Sequence, residues 1–119
     1  MRARALAENE FSVSLFGRVF PFCKQTARQR LAIERRAAGL LPALMGYGLS
    51  GEEARALAYN CVLLWQTLRG EAAPESPEAV LDTFTLGQIA RLCEGYWRQG
   101  DLPFGDWDEG GQVPEEGEA

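Results

Sequence analysis

Three stretches of this chain carry the same four-residue signal for starting a helix, and they fix most of what it can fold into. Thr26-Ala27-Arg28-Gln29, Ser50-Gly51-Glu52-Glu53 and Thr85-Leu86-Gly87-Gln88 each set a hydroxyl three residues ahead of a glutamine or glutamate. At that spacing the hydroxyl accepts from the backbone N–H of the third helical residue, and the longer side chain accepts from the N–H of the cap residue. Behind each box, apolar residues recur at three- and four-residue steps, the period of a helix with one buried face.

The first helix is expected to bury Leu31, Ile33, Ala37, Leu40, Leu41 and Leu44, leaving Arg28, Arg35 and Arg36 mainly on the other side. Pro42 lacks an N–H and clashes with the carbonyl four residues back, so this helix should kink or stop near Leu40. The second helix carries Ala54, Leu57, Ala58, Cys61, Leu64, Trp65 and Leu68, and is expected to end at Gly70 with Asn60 on its rim. Ser76-Pro77 supplies a cap and first-turn proline for a brief helix through Val80, Leu81 and Phe84. The last helix places Ile89, Leu92, Cys93 and Tyr96 on one face with Trp97 alongside, and Gly100 ends it. Leu57, Cys61, Leu64, Trp65, Ile89, Leu92 and Tyr96 are the expected packing residues of the three main helices.

Ahead of the first box the period changes to two. Phe11, Val13 and Leu15 alternate with Ser12 and Ser14, and Phe20 and Phe22 share one side of a second extended run, so Phe16-Gly17 should turn a short hairpin. Phenylalanine is a poor residue for a primed turn, and a lone hairpin needs something packed on it. The expected fold is therefore α+β and mostly α: a short N-terminal β-hairpin followed by a compact bundle of three main helices. Its 119 residues suffice for one domain. Residues 1–10 are expected to be a flexible N-terminus, 11–107 the single globular domain, and 108–119 a disordered acidic tail.

Charge is unevenly distributed. The net charge is -5, yet Asp101, Asp106, Asp108, Glu109, Glu115, Glu116 and Glu118 stand in residues 101–119 without a single base. Between Arg18 and Arg36, by contrast, six bases accompany one acid, Glu34. A basic shoulder with an acidic tail suits either nucleic acid or pairing of one part of the chain with another.

The chain has no histidine, which removes the commonest general base and zinc ligand. Cys23, Cys61 and Cys93 form no C-x-x-C pair, are odd in number, and read as reduced core thiols. Gly46-Tyr47-Gly48 has neither the glycines nor the lysine of a phosphate loop, and the paired acids lie in a helix first turn and the tail. No catalytic residue, cofactor or metal is expected. Without an apolar signal segment or a membrane-length run, the chain reads as soluble and cytoplasmic. Thr85 to Cys93 is superficially similar to the opening helix of a winged helix-turn-helix regulator. No recognition helix follows at the required spacing, and the acidic tail would repel phosphates.

The order of elements resembles the small tail assembly chaperones of long-tailed bacteriophages and their prophages. The similarity runs through Phe16-Gly17-Arg18-Val19-Phe20-Pro21-Phe22, the helix start Thr26 to Arg36, the Val80-Leu81-Asp82 element, and the Tyr- and Trp-bearing last helix from Ile89 to Trp97. It covers roughly residues 11–107, with Pro42 and the long acidic tail as departures. The resemblance implies a non-enzymatic adaptor that binds the tape measure protein and recruits tail tube subunits, and that can self-associate as a homo-oligomer. Phe104 and Trp107 are the expected anchors for a helical partner, being large and flanked by glycine and acid, and Arg35 and Arg36 are the expected partners for its carboxylates. The alternative is a small phage interaction protein that inhibits a host system, its acidic tail mimicking nucleic acid.

Overall fold

A computed structural model describes residues 9–100, which are mostly helical behind an N-terminal antiparallel hairpin. The strands are β1, Glu10–Leu15, and β2, Arg18–Cys23, paired from Glu10 opposite Cys23 to Leu15 opposite Arg18. β1 therefore takes in Glu10, inside the segment expected to be a flexible terminus, because Lys24 N–H donates to the Asn9 carbonyl (2.7 Å) and closes the ladder. The two-residue turn has φ of 56° at Phe16 and 72° at Gly17. Both are left-handed, as a turn matched to strand twist requires, and the phenylalanine adopts a backbone that costs about 1 to 2 kcal/mol. Its ring is held edge-on to Phe20 (6.2 Å between centroids), with the Arg91 guanidinium 5.9 Å from its centre.

All three capping boxes form with both reciprocal hydrogen bonds, at the starts of α1 (Ala27–Ala38), α3 (Gly51–Thr67) and α5 (Leu86–Gln99). α1 stops at Ala38, and Pro42 lies in the first turn of a separate short helix, α2 (Leu41–Met45), where its missing N–H does no harm. The brief helix after Ser76-Pro77 is α4, Ala79–Thr83; the Ser76 hydroxyl still accepts from Ala79 N–H at 3.1 Å.

α3 ends earlier than expected. Leu68 is already extended, bridging to Phe22, while Arg69 N–H donates to the Pro21 carbonyl at 2.8 Å. The chain thus leaves α3 to cover the outer edge of β2. That is the edge on which Pro21 has no N–H to offer, so the proline costs the hairpin no ladder bond. Gly70, instead of capping the helix, takes φ +82° in a 3-10 turn (Gly70–Ala72), and a Cβ there would lie 2.9 Å from Pro21 Cγ.

α3 is the central element, in contact with α1, α2, α4 and α5. Ala54, Ala58, Cys61, Val62, Leu63 and Leu64 are fully buried on it, so its second half is enclosed nearly all round. Leu57 and Trp65, expected in the core, are half-buried and pack against its margin. Cys61, Leu64, Ile89, Leu92 and Tyr96 are core residues, as the helical stripes require. The hairpin lies on α5: Phe11 stacks on Phe22 at 5.4 Å, and both tilt against Tyr96 at 5.5 and 5.7 Å. A two-stranded sheet gains stability from such packing.

Gly95 lets the hairpin approach. A Cβ there would lie 2.7 Å from Val13 Cγ1, and Val13 is fully buried. Gly95→Ala should therefore destabilise by about 1 to 3 kcal/mol through overpacking, although alanine is the better helix former. In a Val13→Ala background the same change should be neutral or stabilising. Urea melts of the four proteins would check this, and equal effects in both backgrounds would contradict the close approach.

A candidate protein-interaction surface on the first long helix

The arginines of α1 are of two kinds. Arg30 and Arg36 lie over indole rings, their guanidinium carbons 5.0 Å from the centre of Trp97 and 5.3 Å from that of Trp65. Such stacking contributes about 0.5 to 1 kcal/mol at exposed sites and ties the charge to the body. Arg28 and Arg35 are exposed, and with Leu31 they follow steps of three and four along one side of the helix. Of the two expected interaction arginines, Arg35 therefore faces solvent, whereas exposed Arg36 also holds α1 against α3. Phe104 and Trp107 lie outside the described residues.

Leu31 was expected in the core and is 73% exposed. The physical reason is phase. The buried residues Ile33, Ala37, Leu40 and Leu44 step by three and four, and Leu31 sits two residues from Ile33, about 200° around the helix. That offset is the signal that identifies Leu31 as a surface residue in the sequence. It lies on the lip of a groove of about 360 Å³ between α1 and α3, lined by Arg30, Leu31, Ile33, Glu34 and Tyr59. Burial pushes the Tyr59 phenol above its ordinary range, with Arg30 opposing and Glu34 adding to the rise. The groove therefore presents a neutral hydroxyl and the apolar Leu31 and Ile33 between one arginine and one glutamate, Arg30 and Glu34, which can hold an apolar side chain, while Arg28 and Arg35 stand on the same helix outside its lining.

A polar junction fixes this surface. Gln25, just before the Thr26 cap, donates its backbone N–H to the Tyr96 hydroxyl (2.8 Å) and its amide Nε2 to Oε1 of Gln66 (2.6 Å). It accepts at Oε1 from Arg30 Nε (2.8 Å), while Gln66 Nε2 reaches the Gln29 carbonyl at 3.4 Å. Gln66 is buried, and its amide is satisfied on both sides, as a buried polar group requires. Sequence reasoning missed Gln66; its only sign is a polar residue in the last turn of an otherwise apolar stretch of α3.

A second hollow, about 450 Å³ and more open, surrounds the hairpin tip from Ser14 to Val19, where Val19 and Phe16 are exposed. Exposed Arg18 lines it, and the exposed Arg91 guanidinium lies 5.9 Å from the Phe16 ring centre. No helix among the described residues is long and apolar enough to cross a membrane, and no group of three or more His, Cys, Asp or Glu among them could hold a metal ion.

Of the three cysteines expected as core thiols, Cys23 at the end of β2 is only half-buried, and the other two are core residues. Cys61 and Cys93 are buried, and Cys93 Sγ donates to the Asn60 carbonyl at 3.6 Å. Burial, with Glu78 adding to it, raises the Cys61 thiol from an ordinary value of about 9 to about 11. Burial pushes Cys93 higher still, and neighbouring Cys61 adds to the rise. Both stay protonated at neutral pH and are poor nucleophiles. A thiol raised in the folded state favours the fold fully below its unfolded value and loses that contribution as pH rises through the folded one. The urea midpoint should therefore fall between about pH 9 and pH 11. Iodoacetamide at pH 8 should label half-buried Cys23 and spare Cys61 and Cys93 until urea is added; rapid native labelling of all three would contradict their burial. Comparisons with protein-family models, with curated proteins and with solved structures found no match, and what the chain does is read from the groove, its arginines and the polar junction that holds them.

Proposed function

We propose that the chain is a non-enzymatic protein-binding adaptor, a bacteriophage tail assembly chaperone acting in the cytoplasm of the bacterial host. It binds the tape measure protein as an amphipathic helix and recruits tail tube subunits during tail morphogenesis. The observation that carries this reading is Leu31, exposed between Arg28 and Arg35 at the edge of the α1–α3 groove. A leucine held in water on a rigid helix beside an apolar hollow gains by meeting an apolar partner stripe. The arginines on either side select a stripe bordered by acids. Helix-in-groove recognition uses this arrangement, a few apolar anchors inside a charged rim. The resemblance of residues 11–107 to tail assembly chaperones supplies the identity of the helix. Phe104 and Trp107 add aromatic anchors to the same interaction, and Arg36 adds charge at its far end.

The test is co-expression with the tape measure protein of the same genome and affinity capture of the tagged chain. Leu31→Ser combined with Arg35→Glu should reduce recovery of the tape measure protein by about tenfold, the equivalent of roughly 1.4 kcal/mol. Both side chains face solvent, so the melting temperature should stay within a few degrees. Undiminished capture by this variant would reject the α1 surface, and failure of the unaltered chain to capture the tape measure protein would reject the chaperone reading.

A further inference from the structure

The two edges of the hairpin end differently. Leu68 and Arg69 cover the outer edge of β2, where Arg69 N–H donates to the Pro21 carbonyl at 2.8 Å. Pro21 therefore turns its carbonyl away from β1. Residues directly opposite in an antiparallel pair turn their backbone groups both toward each other or both away, and the two cases alternate along the strand. Ser12 stands opposite Pro21 and Ser14 follows two residues on, so both serines direct N–H and C=O away from β2. Both are exposed, and none of these backbone groups has a backbone partner among the described residues. The strand Glu10–Leu15 holds no proline, lysine or bulge, the devices with which edges avoid pairing.

This edge is complementary to an inverted copy of itself. With a two-fold axis at Val13, Ser12 falls opposite the second copy's Ser14, and Ser14 opposite its Ser12. Each such pair exchanges two backbone hydrogen bonds, because both members turn their groups to the junction. On the α5 side, half-buried Leu15 meets the second copy's half-buried Phe11, and each gains cover. On the solvent side, serine hydroxyls face one another. A shift of one residue sets outward groups against inward ones, and a shift of two sets Leu15 against Asn9 or Phe11 against Gly17. Charge agrees with the same register. Glu10, the one charged residue of β1, comes opposite the second copy's Phe16, beside the exposed Arg18 and Arg91 that flank that ring's end of the hairpin. Lys24 lies across the ladder at Asn9, and Glu94 and Arg98, which share a small hollow with Leu15 and Arg91, are paired with each other at 2.8 Å.

We propose that two copies of this chain join through their β1 edges into a four-stranded antiparallel sheet, ordered β2–β1–β1–β2. This gives a surface to the self-association that the family resemblance implies, and it stands on strand chemistry rather than on that resemblance. Strands of six residues make an interface below the roughly 1,200 Å² of stable complexes, so the dimer forms at high chain concentration.

The test combines sedimentation, hydrogen exchange and NMR on the full-length chain. The mean mass should rise from monomer toward dimer with concentration, and the Ser12 and Ser14 amides should gain about tenfold or more protection in parallel. In a mixture of labelled and unlabelled chains, cross-peaks should join the Leu15 methyls to the Phe11 ring. Within one copy these residues lie about 13 Å apart along the strand, so such cross-peaks report the pairing of two copies and its register. Ser14→Pro removes an outward N–H and no ladder bond, and should weaken dimerisation by about tenfold or more with the melting temperature kept within a few degrees. Should that variant fail to fold, Ser12→Lys with Ser14→Lys sets lysines opposite one another across the junction and should weaken dimerisation equally. A chain that stays monomeric at millimolar concentration would overturn the proposal. So would a dimer whose Ser12 and Ser14 amides remain unprotected, or one undiminished in the variants that fold. No α1 residue takes part, so capture of the tape measure protein succeeds or fails independently of this result.

Discussion

The buried amide of Gln66 is the interaction on which the arrangement of this molecule depends. It sits in the last turn of the central helix and receives Gln25 from the strand-to-helix link, which in turn rests on the Tyr96 hydroxyl from the last helix and accepts from Arg30. Three segments distant in sequence, Gln25 to Arg30, Gln66 and Tyr96, thus meet through polar groups in an otherwise apolar body. A buried amide without partners costs more than a satisfied one contributes, so the junction enforces one geometry and penalises alternatives. The orientation of α1, and with it the direction in which Arg28, Leu31 and Arg35 face, follows from that geometry.

The division of labour among the arginines follows from the same constraint. Arg30 is drawn into the junction and onto Trp97, and Arg36 onto Trp65, so both hold the helix down. The remaining pair is left in water around an exposed leucine. At the opposite end, the hairpin accommodates a left-handed Phe16 because Phe20 and Arg91 hold its ring. Strain of this kind persists only where surrounding contacts over-determine it.

Local chemistry was legible in the sequence and tertiary closure was not. The capping boxes at Thr26, Ser50 and Thr85 could be read because both partners of each reciprocal bond lie within four residues. The stop before Pro42 is equally local. The end of α3 was misplaced at Gly70 because what stops the helix at Thr67 is the outer edge of β2, contributed by residues more than forty positions away. Leu57 and Trp65 follow the helical period of the core and are half-buried because the bundle closes over them only in part. Leu31 shows the opposite error: its apolar character placed it inside, while its phase relative to Ile33 and Ala37 places it outside. Of the interaction residues, Arg35 and Arg36 could be located from the basic run on α1. Their different roles could not, because the role of Arg36 is set by Trp65 on another helix.

The most direct test of the account is native-state hydrogen exchange in Tyr96→Phe. This change removes one hydroxyl from a fully buried ring and leaves the Gln25 N–H without its acceptor. If the polar junction sets the position of α1, the α1 amides should lose protection by about tenfold or more, in line with about 1 to 3 kcal/mol for a lost buried acceptor, while α3 amides keep most of theirs. Unchanged protection across α1 would contradict the claim that this junction holds the helix, and with it the orientation of the arginine-bearing surface.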